Sequence, residues 1–152
     1  MHVTSWNETY RGIMPDDLID ARTVDVRKRQ WRESLTEPHR ITFVAEDEAE
    51  IVGFASSFLL NPPVNGFDAY LQTVYLVEAV KGRGLGTALL RSTAAELVQH
   101  GCRNLVLRTL RQNPARRFYE HLGARLLPDG VLLDEDIFDD VVYAFDTLDD
   151  LL

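Results

Sequence analysis

Residues 69–90 read AYLQTVYLVEAVKGRGLGTALL. The first part, 71–77, is rich in β-branched and aromatic residues and predicts a strand. The second part, 78–86, places glycines at Gly82, Gly84 and Gly86. From Leu85 the pattern turns helical, with Leu85, Ala88 and Leu89 on one face and Arg91 and Glu96 elsewhere. A strand, a glycine-rich turn and a helix start together make an anion site. The first N–H groups of a helix have no partner within it, and the helix dipole adds partial positive charge there. Glycines remove the Cβ atoms that would hold a phosphate away from those groups. Lys81 and Arg83 add cationic side chains at the same mouth.

The loop is not a Walker loop, because no Gly-Lys-Ser/Thr follows at the required spacing. It is not the dinucleotide fingerprint either, because Thr87 stands where the third glycine belongs. A nucleotide triphosphate is therefore a poor fit. A second informative stretch is NPARRFYEHLGA, starting at Asn113. Asn113 can cap a helix and Pro114 suits its first turn. Ala115, Phe118, Tyr119 and Leu122 then share one face, and Gly123 ends the helix.

Two stretches together, VYL-VEAV-KGRGLG and NPARRFYEHLGA, resemble the paired motifs of the GNAT superfamily of N-acetyltransferases. Lys81 stands where the family's loop has Arg or Gln, and Ala124 replaces its usual aromatic residue. The resemblance implies a mixed α/β sheet flanked by helices. It implies acetyl-CoA as acyl donor, without a metal, and a primary amine as acceptor, on a small molecule or an exposed protein amine. It implies a cofactor site at Tyr75, Leu76, Lys81, Gly82, Arg83, Gly84, Leu85, Gly86, Thr87 and Asn113. Asn113 would contact the pantetheine arm. Tyr119 would lie beside the CoA sulfur and act as the acid that protonates the departing thiolate. A backbone N–H near Leu76, on a bulged strand, would polarise the thioester carbonyl. Many members carry a glutamate base on the strand before the loop, where this chain has Tyr70. Asp68, Glu78 and the acidic residues of 134–140 are the remaining candidates for a base. A non-catalytic CoA-binding regulatory module is the alternative function.

The rest of the chain reads as the elements around that centre. Val3, Trp6 and Tyr10 are at helical spacing in residues 1–10. Pro15, Asp16 and Asp17 start a second helix, and 25–35 a third, with Val26, Trp31 and Leu35 as buried candidates. Trp6, Tyr10, Ile13 and Trp31 either pack in the core or line an acceptor pocket. Residues 40–46 and 51–60 predict an antiparallel hairpin around the acidic turn at 47–50. Pro62 and Pro63 predict a loop at 61–66. The helix after the glycine loop should end near His100, with Gly101 as its cap. Residues 103–109 predict a strand, as do 131–133 and 141–145, with a tail from 146 that frays. The order matches the GNAT fold without the family's first edge strand.

At 152 residues, 45% hydrophobic and 26% charged, the chain predicts one domain spanning 1–152, with a working core. A net charge of −8 disfavours nucleic acid and is compatible with a cationic amine. Cys102 is the only cysteine, which excludes an intrachain disulfide and fits a reducing, cytoplasmic setting. It stands without a neighbouring base, so it is not expected to be a nucleophile. His2, His39, His100 and His121 do not have a metal-ligand spacing. No apolar run is long enough to cross a membrane, and no signal-peptide core precedes the first helix. A monomer or a homodimer is expected.

Overall fold

The computed structural model describes residues 1–128 and 138–152. Three helices come first: α1 (His2–Tyr10), α2 (Asp16–Asp20) and α3 (Val24–Ser34). Pro15 and two acids open α2. Thr23 caps α3 by accepting from the Val26 N–H. The sheet then builds as β1 (Arg40–Asp47), β2 (Glu50–Val64) and β3 (Phe67–Leu76). After the glycine loop come α4 (Leu85–Gln99), β4 (Leu105–Leu110), α5 (Arg116–His121), β5 (Arg125–Leu126) and β6 (Asp140–Phe145). The six strands lie in the order β1-β2-β3-β4-β6-β5. Every pairing is antiparallel except β3 with β4. Among the described residues no strand precedes α1, so β1 forms the sheet's edge.

Hydrophobic burial assigns the two faces. Leu90, Ala94 and Leu97 of α4 are fully buried against Leu71, Leu105 and Leu107 of the sheet. Each such leucine contributes roughly 1.5–3 kcal/mol of burial. The opposite face, around Phe54, Tyr70 and Tyr75, looks toward α1 and α3. At Gly86 of α4 an added Cβ would lie 3.1 Å from the Phe118 ring, so the helix packs closely on α5 at that point.

Four expectations need correction. Ala88 is exposed, and the buried face of α4 is set by Leu89, Leu90, Thr93, Ala94 and Leu97. Leu35 is 63% exposed, because α3 covers a cavity rather than entering the core. The prolines do not end β2. Pairing with β3 passes from Leu59↔Ala69 to Val64↔Phe67, and Pro62 and Pro63 lie in the irregular stretch between, where no ladder donor is required of them. The tail does not fray. Leu148 and Leu151, three apart on a 3₁₀ turn capped by Thr147, are buried against α4. The strand expected at 131–133 lies outside the described residues, as does most of the acidic loop.

Gly53 of β2 fixes how closely that strand meets the end of β3. A Cβ there would lie 2.3 Å from Leu76 Cδ2 and 2.8 Å from the Tyr75 carbonyl oxygen. The carbonyl cannot step aside without moving the strand. Gly53→Ala should therefore cost about 1–3 kcal/mol. Urea denaturation checks this, and an unchanged midpoint would contradict the close approach.

Candidate functional site

β3 and β4 run parallel, yet they pair only at Tyr70↔Val106 and Leu71↔Leu107. Beyond those pairs the strands separate, β3 running on to Leu76 and β4 to Leu110. A wedge opens at their carboxyl ends, where α/β sheets place ligands. On β3 the register with β2 shifts between Ser56 and Ser57, leaving Gln72 as an extra residue. The strand is thus bulged as expected, with the bulge at Gln72. Leu76 still presents its N–H to the wedge. Val77 donates to the Val52 carbonyl at 3.0 Å, and antiparallel alternation turns the Leu76 N–H the other way.

The glycine loop lies directly beyond. Gly82 and Gly84 have φ of +75° and +82°, which glycine adopts without Cβ strain. Gly84 is the N-cap of α4, and nothing lies within 4 Å of where its Cβ would stand. The first helical bond of α4 runs from the Ala88 N–H to the Gly84 carbonyl, 3.0 Å. The N–H groups of Leu85, Gly86 and Thr87 are thus at the open end of a helix, as an anion site requires. The cations differ from expectation, because each already has a carboxylate. Lys81 pairs with Glu78 at 2.6 Å and Arg83 with Asp47 at 2.8 Å. The backbone, not a free cation, is the main attraction for a phosphate here.

Tyr119 comes from α5 and is buried at the wedge. Burial pushes its phenol well above the ordinary value of 10.0, with the Tyr10 and Tyr70 phenols adding to the shift. Burial likewise raises Tyr10, Tyr70 and Tyr75. These four phenols stay protonated at neutral pH, so the cluster holds proton donors and no base. Tyr75 turns its ring to the α1 side, where its hydroxyl donates to Tyr10 at 3.2 Å. Any role of Tyr75 toward a cofactor on the α4 side runs through its backbone. Asn113 is buried; its Oδ1 accepts from the Ala115 N–H (2.9 Å) and its Nδ2 donates to Thr109 Oγ1 (3.0 Å). It shapes the turn into α5 rather than capping the helix proper, which starts at Arg116.

Two candidate bases are already engaged by cations. Asp68 sits at the far end of β3, where two side-chain hydrogen bonds from Arg103 hold its carboxyl below the usual range. Glu78 is exposed beside Lys81. Within the described part of the acidic loop, Asp140 is held by Arg108 at 2.8 Å and lines a cavity with Tyr10 and Tyr70. That cavity, about 320 Å³, opens on the α1 side of the wedge. Cys102 is buried at the opposite end of the sheet, its thiol pushed up by burial and further by Asp68, which removes it from the chemistry. Among the described residues, no His, Cys, Asp and Glu cluster could hold a metal, and no helix is long and apolar enough to cross a membrane.

Residues 4–124 match the acetyltransferase (GNAT) family. The chain belongs to that family. An uncharacterized N-acetyltransferase, YuaI of Bacillus subtilis, is 33% identical over 79% of this chain and 68% of its own. The aminoglycoside N(6')-acetyltransferase type 1 of Salmonella typhimurium is 23% identical, over 80% of this chain and 84% of its own. Among solved structures, the PaiA N-acetyltransferase of Thermoplasma acidophilum, in complex with coenzyme A, aligns with a TM-score of 0.74. It covers 93% of this chain and 86% of its own, at 19% identity. The GNAT fold expected from the two motifs is therefore the fold found.

The aromatic residues on the α1 side were the part sequence reasoning left open. Trp6, Tyr10 and Trp31 are not core residues; they line cavities over the sheet. His2, which no motif singled out, joins them. Its Nδ1 accepts from the Trp31 Nε1–H at 3.1 Å, and its ring meets Phe54 edge-on. Burial, then Arg27, then the N-terminal amine lower its pKa from 6.5 to about 4. Protonation removes the acceptor that Trp31 uses. The unfolded chain binds that proton more readily, so this contribution is complete above pH 6.5 and is lost as pH falls toward 4. Wild type should lose more stability than His2→Phe between pH 7 and pH 4.5 in urea titrations. Equal losses would show that His2 is not held neutral.

Proposed function

We propose that the chain transfers an acetyl group from acetyl-CoA directly to a primary amine, in the cytoplasm. The observation that carries this reading is the parting of β3 and β4 beside the glycine loop, with the Tyr119 phenol buried at the opening. The N–H groups of Leu85, Gly86 and Thr87 hold the pyrophosphate, and the turn held by Asn113 flanks the pantetheine arm. Lys81 and Arg83 contribute less, since each has a carboxylate beside it.

The amine enters from the α1 side, through the cavity lined by Tyr10, Tyr70 and Asp140. Its nitrogen forms a bond to the thioester carbon, and the carbon–sulfur bond breaks. One proton leaves the nitrogen and one reaches the sulfur. The Leu76 N–H stabilises the carbonyl oxygen as charge gathers on it. Tyr119 donates to the departing sulfur. Its raised pKa opposes this transfer, so the phenol gives up its proton only in concert with recovering one from the nitrogen. A lysine-like amine of pKa about 10.4 is neutral at pH 7 in roughly one molecule in 2,500, a deficit of about 4–5 kcal/mol. Asp140 is the described carboxylate positioned to reduce it. Incubation with acetyl-CoA and an amine panel, reading free thiol, tests the activity.

A second reading has one observation in its favour: Tyr70, not a carboxylate, stands on the strand before the loop. It makes the chain a non-catalytic CoA-binding regulatory module. Thermal protection by CoA with no thiol release from any amine would favour it.

The backbone cradle predicts an order of effects. Gly84→Val should weaken CoA binding strongly, because valine rarely adopts φ of +82° and its side chain fills the open space. Lys81→Ala should cost no more than about 1 kcal/mol. Calorimetric titration decides, and the reverse order would refute the cradle. Tyr119→Phe keeps the ring and its packing. It should leave CoA affinity unchanged and lower kcat by roughly 10²–10³-fold. If kcat holds and only Tm falls, Tyr119 is a core residue and not the acid.

A further inference from the structure

A second cavity, about 260 Å³, lies between α1, α3 and the sheet, separated from the amine entrance by Trp6. Its lining includes Arg27 and Arg40 and no carboxylate, in a chain whose net charge is −8. The lining histidine, His2, is held neutral by burial. The two arginines are not equivalent. Arg40 is satisfied: Nε and Nη2 bind Glu37, and Nη1 binds Ser56 and Gln72. Arg27 has a single side-chain partner, Gln30 Oε1, at 3.0 Å from Nη1. Its Nε and Nη2 are buried and have no hydrogen-bond partner.

Such a group is costly. A guanidinium withdrawn from water without a counter-charge loses hydration that nothing replaces, and burial lowers the Arg27 pKa accordingly. Stacking on Trp6, at 4.8 Å from the ring centroid, offsets part of this. Trp6 Nε1 is itself buried without a partner. Unpartnered donors on two adjoining residues, in a cavity that reaches Tyr75, call for an acceptor that the protein does not supply. Nε and Nη2 form one edge of the guanidinium, the edge that takes a carboxylate bidentately. Tyr75 precedes Leu76, whose N–H faces the reacting centre. The cavity that holds Arg27 therefore ends at the β3 residue next to Leu76.

Resting on the acetyl-transfer reading above, we propose that the acceptor is an amino-acid-sized amine bearing a carboxylate, and that Arg27 binds this carboxylate from the cavity under Trp6. The indole covers the guanidinium face, and the carboxylate takes the Nε–Nη2 edge as the side chains packed over that edge shift. The aromatic walls, Trp6, Trp31 and Phe54, hold an apolar or ring-bearing side chain. The cavity's volume limits the ligand to about that size.

The test uses the full chain and needs no turnover. Both tryptophans of the protein, Trp6 and Trp31, line the cavity, so intrinsic emission reads its occupation. A panel of L-amino acids is titrated beside the matching carboxamides at neutral pH. The best acid should bind at least about tenfold tighter than its amide and change tryptophan emission. In Arg27→Gln the two should bind within about twofold of each other, with the amide's affinity as in wild type, which shows that the cavity is intact. Arg27→Lys should recover part of the preference. No acid outbinding its amide, or a preference that survives Arg27→Gln, overturns the proposal. If thiol release proceeds with amides as readily as with acids, acetyl transfer stands and this acceptor class falls. If acids bind selectively and none is acetylated, the carboxylate site at Arg27 stands, but its ligand is not the acceptor and the proposal falls.

Discussion

The structure depends on a parallel strand pair that stops pairing. β3 and β4 share the core up to Leu71 and Leu107 and then part. Beyond that point, the N–H and C=O groups of β3 that turn away from β2, those of every second residue, could have bonded to β4. Instead, those groups face a wedge, and the fold must hold the strands apart. Three features do so. The extra residue at Gln72 turns β3 relative to its neighbour. Gly53 lets β2 close on the end of β3 at Tyr75 and Leu76. On the other side, β4 is drawn to β6 through six paired positions from Leu105 to Leu110, and Asn113 ties the following turn back to Thr109. α5 then carries Tyr119 to the gap, and Gly86 lets α4 sit close beside it.

Electrostatics divides the site into unlike parts. At the glycine loop the side-chain cations are already paired, so attraction for an anion comes from oriented N–H groups, which neither titrate nor move. At the wedge, four phenols are held protonated by burial. Over the far cavity a guanidinium lacks a counter-charge. The carboxylates near these places are matched by cations: Glu78 and Asp47 by Lys81 and Arg83, and Asp140, beside Tyr10 and Tyr70, by Arg108.

Local sequence made the glycine loop legible because glycine spacing and a helix start are short-range facts. Gly82 and Gly84 adopt the positive φ that the loop requires, and α4 begins where the periodicity changes. The strands expected at 40–46, 51–60, 71–77, 103–109 and 141–145 are found as well, whereas β5 at Arg125–Leu126 carried no signal. What sequence could not show was partnership across long separations. Asp68 looked like a free carboxylate until Arg103 was seen on it, and Lys81 and Arg83 looked like free cations until Glu78 and Asp47 were. Pro62 and Pro63 read as a loop because a gap in pairing with β3 is invisible in β2 alone. Leu148 and Leu151 read as a tail because their partners on α4 lie some fifty residues upstream. Arg27 carried no signal at all. An arginine in the first turn of a polar helix is unremarkable until its donors are counted.

Amide spectroscopy of the uniformly ¹⁵N-labelled protein during titration with CoA tests the account most directly. The account places the pyrophosphate on the N–H groups that open α4 and the thioester end beside Leu76. The resonances of residues 82–87 and of Leu76 should shift together and saturate at one ligand concentration, while Cys102 and Leu148, at the far end of the sheet, stay unchanged. ATP at the same concentration should leave Leu76 in place. Shifts confined to other parts of the sheet, or the same Leu76 shift with ATP, would contradict a wedge built to receive an acyl thioester.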